Sequence, residues 1–253
     1  MSTERIYGVL LRVYTPKPEE VADRVERALK HVHHVFDVAK EFPALHRVVL
    51  VVPRDYDCGL TYQALSKRID AEGLSSLVSM LTPTGHHSCE ALNFGLTAAH
   101  LESSHALIVS GKAMSYLTLS VLRAFDEAFA CGAKVVGLAV DELHDIVLEG
   151  RIQNTFAAWD IKALQQVGDF DSKGGVEEIA PLVRLIREFG QCIAPIDTVA
   201  GTLEVLKSET ARARHEEVMT TKLVRQQAEL DRVGSNFAEI KSGIMPGYQY
   251  SVW

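Results

Sequence analysis

The chain has 253 residues, 47% hydrophobic and 23% charged, which suits one α/β domain with a full core, alone or with an appendage, and excludes a disordered or fibrous protein. A formal charge of -7 without a dense Lys/Arg run argues against sequence-independent nucleic-acid binding, yet allows a local basic pocket for an anionic small molecule. Cys58, Cys89, Cys131 and Cys192 share no CxxC spacing and read as free thiols, MSTERIYG holds no apolar leader, and no apolar run spans a bilayer, so the expectation is a soluble, cytoplasmic protein.

In chain order, Gly8 to Tyr14 is a first strand closed by Thr15-Pro16, and Pro18-Glu19-Glu20 opens a helix whose first-turn carboxylates suit its dipole. That helix runs to about Lys40, with Val21, Val25, Leu29, Val32, Val35 and Val38 on one face. Its histidines His31, His33 and His34 lack a carboxylate or Cys partner at ligand spacing and read as partly exposed side chains. His46 to Pro53 is a continuous β-branched run, the signature of a strand buried on both faces of a parallel sheet. A helix over about 60–71, a short strand at Leu77 to Leu81 and a small-residue helix from Ser88 to about Leu101 follow, Ala91, Gly95, Ala98 and Ala99 allowing it to approach the sheet closely. The fully apolar strand Ala106 to Val109 then meets a polar turn, Ser110-Gly111-Lys112, before a helix that begins near Ser115 and runs to Ala130.

A strand at Lys134 to Val140, a weakly patterned surface loop over 141–154, helices at Thr155 to Val167 and Val176 to Phe189, and a short strand at Gln191 to Pro195 complete a right-handed, mostly parallel α/β layer structure over residues 1–200. Residues 201–253 form a different unit. Leu203 to Ile240 reads as one long amphipathic helix or two broken ones, expected to pack partly on the core and partly on a second copy of the chain, and the aromatic tail to Trp253 is expected to dock.

Four loops end at one rim of this sheet: Thr15-Pro16-Lys17, Pro53-Arg54-Asp55, Thr84-Gly85-His86-His87 and Ser110-Gly111-Lys112. In an open α/β sheet ligands bind outside the carboxyl ends of the strands, and these loops supply an acid for a base or ribose, helix-start amides and cations for phosphates. No Walker or GxGxxG pattern is present, so the usual ATPase and dinucleotide readings are weak.

The run Gly85-His86-His87-Ser88-Cys89-Glu90-Ala91-Leu92-Asn93-Phe94-Gly95-Leu96-Thr97-Ala98-Ala99, followed by the strand Ala106 to Val109, resembles the glycine loop and A-x-N-x-G-L-x-x-A helix of family 2 glycosyltransferases of the GT-A fold. Phe156 to Asp171 is similar to that family's stretch ending in a Gly-x-Phe-Asp turn, and Gly175-Val176-Glu177-Glu178 through Gly190 resembles its acidic helix. The resemblance covers roughly Gly8 to Pro195, with three motifs in register.

It implies a GT-A-like (Rossmann-like) domain that takes a nucleotide sugar as donor and transfers the sugar to an unidentified acceptor. Asp55, Thr15 and Pro16 would lie at the nucleotide, joined by Arg54, Gly85, His86, His87, Asn93, Ser110 and Gly111; Gln153, Asn154 and Trp159 would lie on the acceptor side. Glu178, or its neighbour Glu177, falls at the position of the base that deprotonates the acceptor hydroxyl in an inverting transfer, although acids are favoured in a first helical turn in any case. The family's Asp-x-Asp, which holds a divalent ion against the diphosphate, falls on Ser110-Gly111-Lys112, where Mn²⁺ or Mg²⁺ would bind poorly for want of hard oxygen ligands. Either Lys112 replaces the metal charge in a metal-independent transferase, or the domain is a non-catalytic GT-A-like module that binds a nucleotide or a protein partner.

Overall fold

The computed structural model describes residues 5–13, 18–53, 57, 59–83, 88–100, 103–138, 140–141, 146–147, 152, 154–171, 176–196, 217, 221 and 224–248. The apolar runs pair into one seven-stranded sheet in the order β3-β2-β1-β4-β8-β5-β9. Its strands are β1 (Tyr7–Arg12), β2 (Leu45–Val51), β3 (Val78–Leu81), β4 (His105–Val109), β5 (Val135–Leu138), β8 (Phe156–Asp160) and β9 (Ile193–Ile196). The two-residue strands β6 (Val140–Asp141) and β7 (Ile146–Val147) pair with each other.

Seven helical segments with the bounds α1 (Val21–Ala39), α2 (Leu60–Ala71), α3 (Ser88–His100), α4 (Leu119–Ala130), α5 (Ile161–Val167), α6 (Ile179–Phe189) and α8 (Phe237–Ser242) flank the sheet, with α7 over residues 224–232. Side chains alternate between the two faces. Val9, Leu11, Leu107 and Val109 pack with α1, α2 and α4, whereas Leu10, Ile108 and Trp159 pack with α3, α5 and α6. Gly95 is the close-approach residue foreseen for α3: a Cβ there would sit 2.2 Å from Leu10 Cδ1. Asp57, 2% exposed, caps α2 by accepting from the backbone amides of Gly59 (2.9 Å) and Thr61 (2.8 Å).

Two expectations are corrected. Thr155 to Val167 is not one helix: Phe156, Ala157, Ala158 and Trp159 are fully buried in β8, which runs antiparallel between β4 and β5. A short apolar run has no periodicity that separates buried strand from buried helix, and the sheet's need for a strand in that slot decides the outcome. Asp160 marks the boundary, its carboxylate accepting from Ala163 N at 3.0 Å as the N-cap of α5. The chain after β4 enters a 3-10 turn, Gly111–Tyr116, and α4 starts only at Leu119, where Thr118 caps it.

Of the two readings of the C-terminal segment, one long helix or two broken ones, the described residues show the broken one. Helix α7 stops at Gly234, whose φ of 63° lies in the left-handed region that glycine tolerates, and α8 follows. Both pack on this chain's own core: Leu230 and Ile240 are fully buried, Arg187 on α6 pairs with Glu239 at 2.8 Å, and Gly243 O accepts from Cys192 N and Ile193 N. Ile244 and Met245 dock beside β9, as expected of an apolar tail; residues 249–253 lie outside the described residues.

Candidate functional site

From β1 the chain steps through β2 to β3 on one side of the sheet and then crosses back to β4 on the other. The switch between β1 and β4, which run parallel with Leu11 opposite Val109, is where an open sheet leaves a crevice. A cleft of about 720 Å³ occupies it, within the size range of small-molecule sites. Leu11, Val13 and Val109 form its floor, α1 one wall, and Gly111, Met114 and Ser115 the other.

The α1 wall is basic on a chain of net charge -7. Arg24, Arg27, His31 and His34 recur at three- and four-residue steps and line the cleft with Lys30. Arg24 pairs with Glu20 at 3.0 Å, but Arg27 and Lys30 have no ion-pair partner among the described residues. Burial, followed by the neighbouring charges of Arg27, Lys30 and His34, holds His31 below its ordinary value and so favours the neutral imidazole. The ring lies against the turn after β4: a Cβ on Gly111 would be 2.7 Å from His31 Cε1, so glycine is what admits it. His34 Nε2 lies 3.0 Å from Leu117 O, and His33 points elsewhere, 2.8 Å from Glu72. All three are partly or fully exposed, as read from the sequence, but the place of His31 in a cleft was not foreseen there. Its signal was the shared helical face with Arg24 and Arg27.

The turn after β4 meets the start of β8 here. Ser110 N donates to Thr155 O at 2.7 Å, which brings the Asn154-Thr155 segment at the start of β8 against Ser110-Gly111-Lys112. Ser110 Oγ and Asn154 Nδ2 are buried with no hydrogen-bond partner among the described residues, two polar atoms that a ligand at this rim would satisfy. Asn154 is 3% exposed, and its Oδ1 accepts from Trp159 Nε1 at 2.9 Å. The backbone of Lys112 belongs to the 3-10 turn, while its side chain lies outside the described residues.

Two of the expected site side chains are engaged inside the protein. Trp159 has no exposed surface; it is a core residue, stacked edge-on to Phe170 at 5.1 Å, that orients Asn154. Asn93 engages its side chain within the protein: its amide donates to Phe170 O at 2.9 Å and its carbonyl accepts from Phe170 N at 3.0 Å. Asn93, Phe170, Trp159 and Asn154 thus form one chain of contacts behind the rim.

Glu177 and Glu178 are 6% and 3% exposed at the start of α6. Arg12, the last residue of β1 and part of the cleft lining, holds Glu177 at 3.3 Å, so the acidic pair is tied to the carboxyl end of β1. Thr15, Pro16, Arg54, Asp55, Gly85, His86, His87 and Gln153 lie outside the described residues.

As a site for a divalent ion the turn fits badly, because Ser110-Gly111-Lys112 offers no carboxylate and a cation in place of one. Among the described residues no group of three or more His, Cys, Asp or Glu gathers at metal-binding distance, and no helix is long and apolar enough to cross a membrane.

The mannosyltransferase PcManGT from Pyrobaculum calidifontis, solved in complex with GDP-Man and Mn²⁺, superposes with a TM-score of 0.66 at 17% identity, over 96% of this chain and 68% of that one. This chain shares the fold of that protein, a GT-A-like fold. Weaker likenesses are to a cytidylyltransferase from Leptospira borgpetersenii (TM-score 0.47, 10% identity, 96% of this chain and 98% of that one) and TarS 1-349 from S. aureus (0.45, 14%, 71% and 55%). No protein-family model matches the chain, and no curated protein matches it in sequence.

Proposed function

We propose that the GT-A rim binds a nucleotide sugar and that the protein transfers the sugar to a hydroxyl acceptor. The observation that carries this reading is the Arg12–Glu177 pair, which ties the acidic start of α6 to the strand end bordering the switch-point cleft. Glu178, with Glu177 beside it, takes the proton of the acceptor hydroxyl; the oxygen forms a bond to the anomeric carbon as the bond to the diphosphate breaks and its electron pair leaves with the phosphate. Lys112 supplies positive charge to that leaving group where a metal-binding carboxylate pair would otherwise stand. The donor nucleotide lies against Thr15, Pro16, Arg54, Asp55 and the Gly85-His86-His87 loop, with Ser110 and Gly111 at the diphosphate, and the acceptor approaches past Gln153 and Asn154.

The test is release of nucleoside diphosphate from a panel of nucleotide sugars with hydroxyl acceptors, in EDTA and in Mn²⁺. Turnover is expected without added metal, and Glu178→Gln should lower it about a hundredfold or more with the fold retained. Turnover unchanged in both Glu178→Gln and Glu177→Gln would remove these residues from the reaction. A second reading, a GT-A module that binds a nucleotide without transfer, draws on the replacement of turn carboxylates by Ser110-Gly111-Lys112; nucleotide binding with no release under any condition favours it.

A further inference from the structure

On α1, Arg27 stands three residues after Arg24, three before Lys30 and four before His31, all lining one cleft. Like charges at these spacings cost a few tenths of a kcal/mol per pair, about 0.2–0.5. Arg24 is relieved by Glu20 and Arg12 by Glu177, but Arg27 and Lys30 have no ion-pair partner among the described residues. Among the described residues that line the cleft there is no Asp or Glu. The opposite wall adds the exposed Gly111, whose missing side chain lets the His31 ring reach the turn, and Ser115; beside them Ser110 Oγ is buried without a described partner. The arrangement is self-repulsive when empty and is complementary to a multivalent anion. Exposed cations discriminate poorly alone, but here they converge on a concave site whose floor is apolar, which concentrates their field.

We propose that this α1 wall, through Arg27 and Lys30 with His31 beside them, binds phosphate groups of the ligand directly, supplying from a helix the positive charge that the turn after β4 lacks carboxylates to hold as a metal ion. The inference rests on reading the rim as the ligand site and deepens it by naming the recognised chemistry and the residues. The phosphate belongs either to the diphosphate of the donor or to a phosphorylated acceptor.

The experiment is calorimetric titration of the full chain in EDTA with pyrophosphate, a nucleoside diphosphate and a sugar 1-phosphate, for the unmodified protein and for Arg27→Gln/Lys30→Gln. Both residues are exposed, so the double variant is expected to fold with an unchanged or higher melting temperature. Pyrophosphate should bind without metal, weaken as salt rises, and lose at least tenfold in affinity in the double variant. Competition between pyrophosphate and the nucleoside diphosphate, with both weakened, assigns the site to the donor. Simultaneous binding of nucleoside diphosphate and sugar 1-phosphate, with only the latter weakened, assigns it to the acceptor. No binding by any phosphate probe, binding that requires Mn²⁺, or equal affinity in the double variant overturns the proposal. Nucleotide-sugar binding that is present, with it and the binding of sugar 1-phosphate and pyrophosphate all unchanged in the double variant, overturns only this inference; pyrophosphate binding without nucleotide-sugar binding overturns only the transferase reading.

Discussion

His105, the first residue of β4, should make the protein acid-sensitive, and His105→Phe should relieve that sensitivity. The side chain is 7% exposed, its ring 4.2 Å from that of Phe129 and 5.3 Å from that of Tyr7, with Nδ1 2.9 Å from Ser104 Oγ. Burial depresses its pKa from 6.5 to about 4, outweighing the opposing pull of Asp160 and Asp126. The folded state therefore keeps the ring neutral while the unfolded chain takes up a proton below pH 6.5, so this contribution is full above 6.5 and lost as pH falls toward 4. A drop from 6.5 to about 4 is worth about 3 kcal/mol in total, of which about 2 kcal/mol is gone by pH 5. Phenylalanine keeps a ring between Phe129 and Tyr7 but has no proton to bind, and Ser104 Oγ retains its contacts with the Ile6 backbone. Urea unfolding at pH 7.5 and pH 5 measures the difference: the variant should lose about 2 kcal/mol less than the unmodified protein between the two. Equal losses would refute the reasoning. Asp126, held below the usual carboxylate range by Arg5, contributes to acid unfolding in both proteins and drops out of the comparison to first order.

Trp159→Phe removes the donor to Asn154 Oδ1 and leaves that buried amide unsatisfied, at a cost of about 1–3 kcal/mol in urea unfolding; a change below about 0.5 kcal/mol would mean Asn154 is held by something else. Deleting residues 224–253 uncovers the contacts of Leu230, Ile240, Ile244 and Met245, worth about 1.5–3 kcal/mol each, a sum comparable to a domain's whole stability. No cooperative unfolding is expected from the truncated chain, and a melting temperature within a few degrees of the full chain would contradict the packing described. Residues 201–253 are also proposed to join two copies of the chain, so light scattering should give twice the monomer mass; a monomer at high concentration removes that idea.

What could be read from the residues alone depended on whether a signal was local. His46 to Pro53 announces β2 because an unbroken β-branched run suits a strand covered on both faces, and the valines of α1 announce a helix by their spacing. The meeting of the turn after β4 with the start of β8 followed only in outline, since β8 itself was hidden: Phe156-Ala157-Ala158-Trp159 carries no period, and only its place between β4 and β5 makes it a strand. Asn93 fits a motif for nucleotide contact but spends its amide on Phe170, a partner distant in sequence that no spacing rule identifies. The Arg12–Glu177 pair was invisible for the same reason. The basic face of α1 was present in the residue spacing, yet its meaning came from the neighbouring turn, where glycine admits His31.

The central claim is that the rim at the β1–β4 switch binds a nucleotide sugar without a carboxylate-held metal. Thermal unfolding of the full chain with nucleoside diphosphates and nucleotide sugars, in EDTA and in Mn²⁺, tests it most directly. A ligand at a hundred times its Kd stabilises by about 2.7 kcal/mol. At least one diphosphate nucleotide should raise Tm by several degrees in EDTA, with no marked gain from Mn²⁺. No rise with any nucleotide, or a rise that appears only with Mn²⁺, would contradict the account.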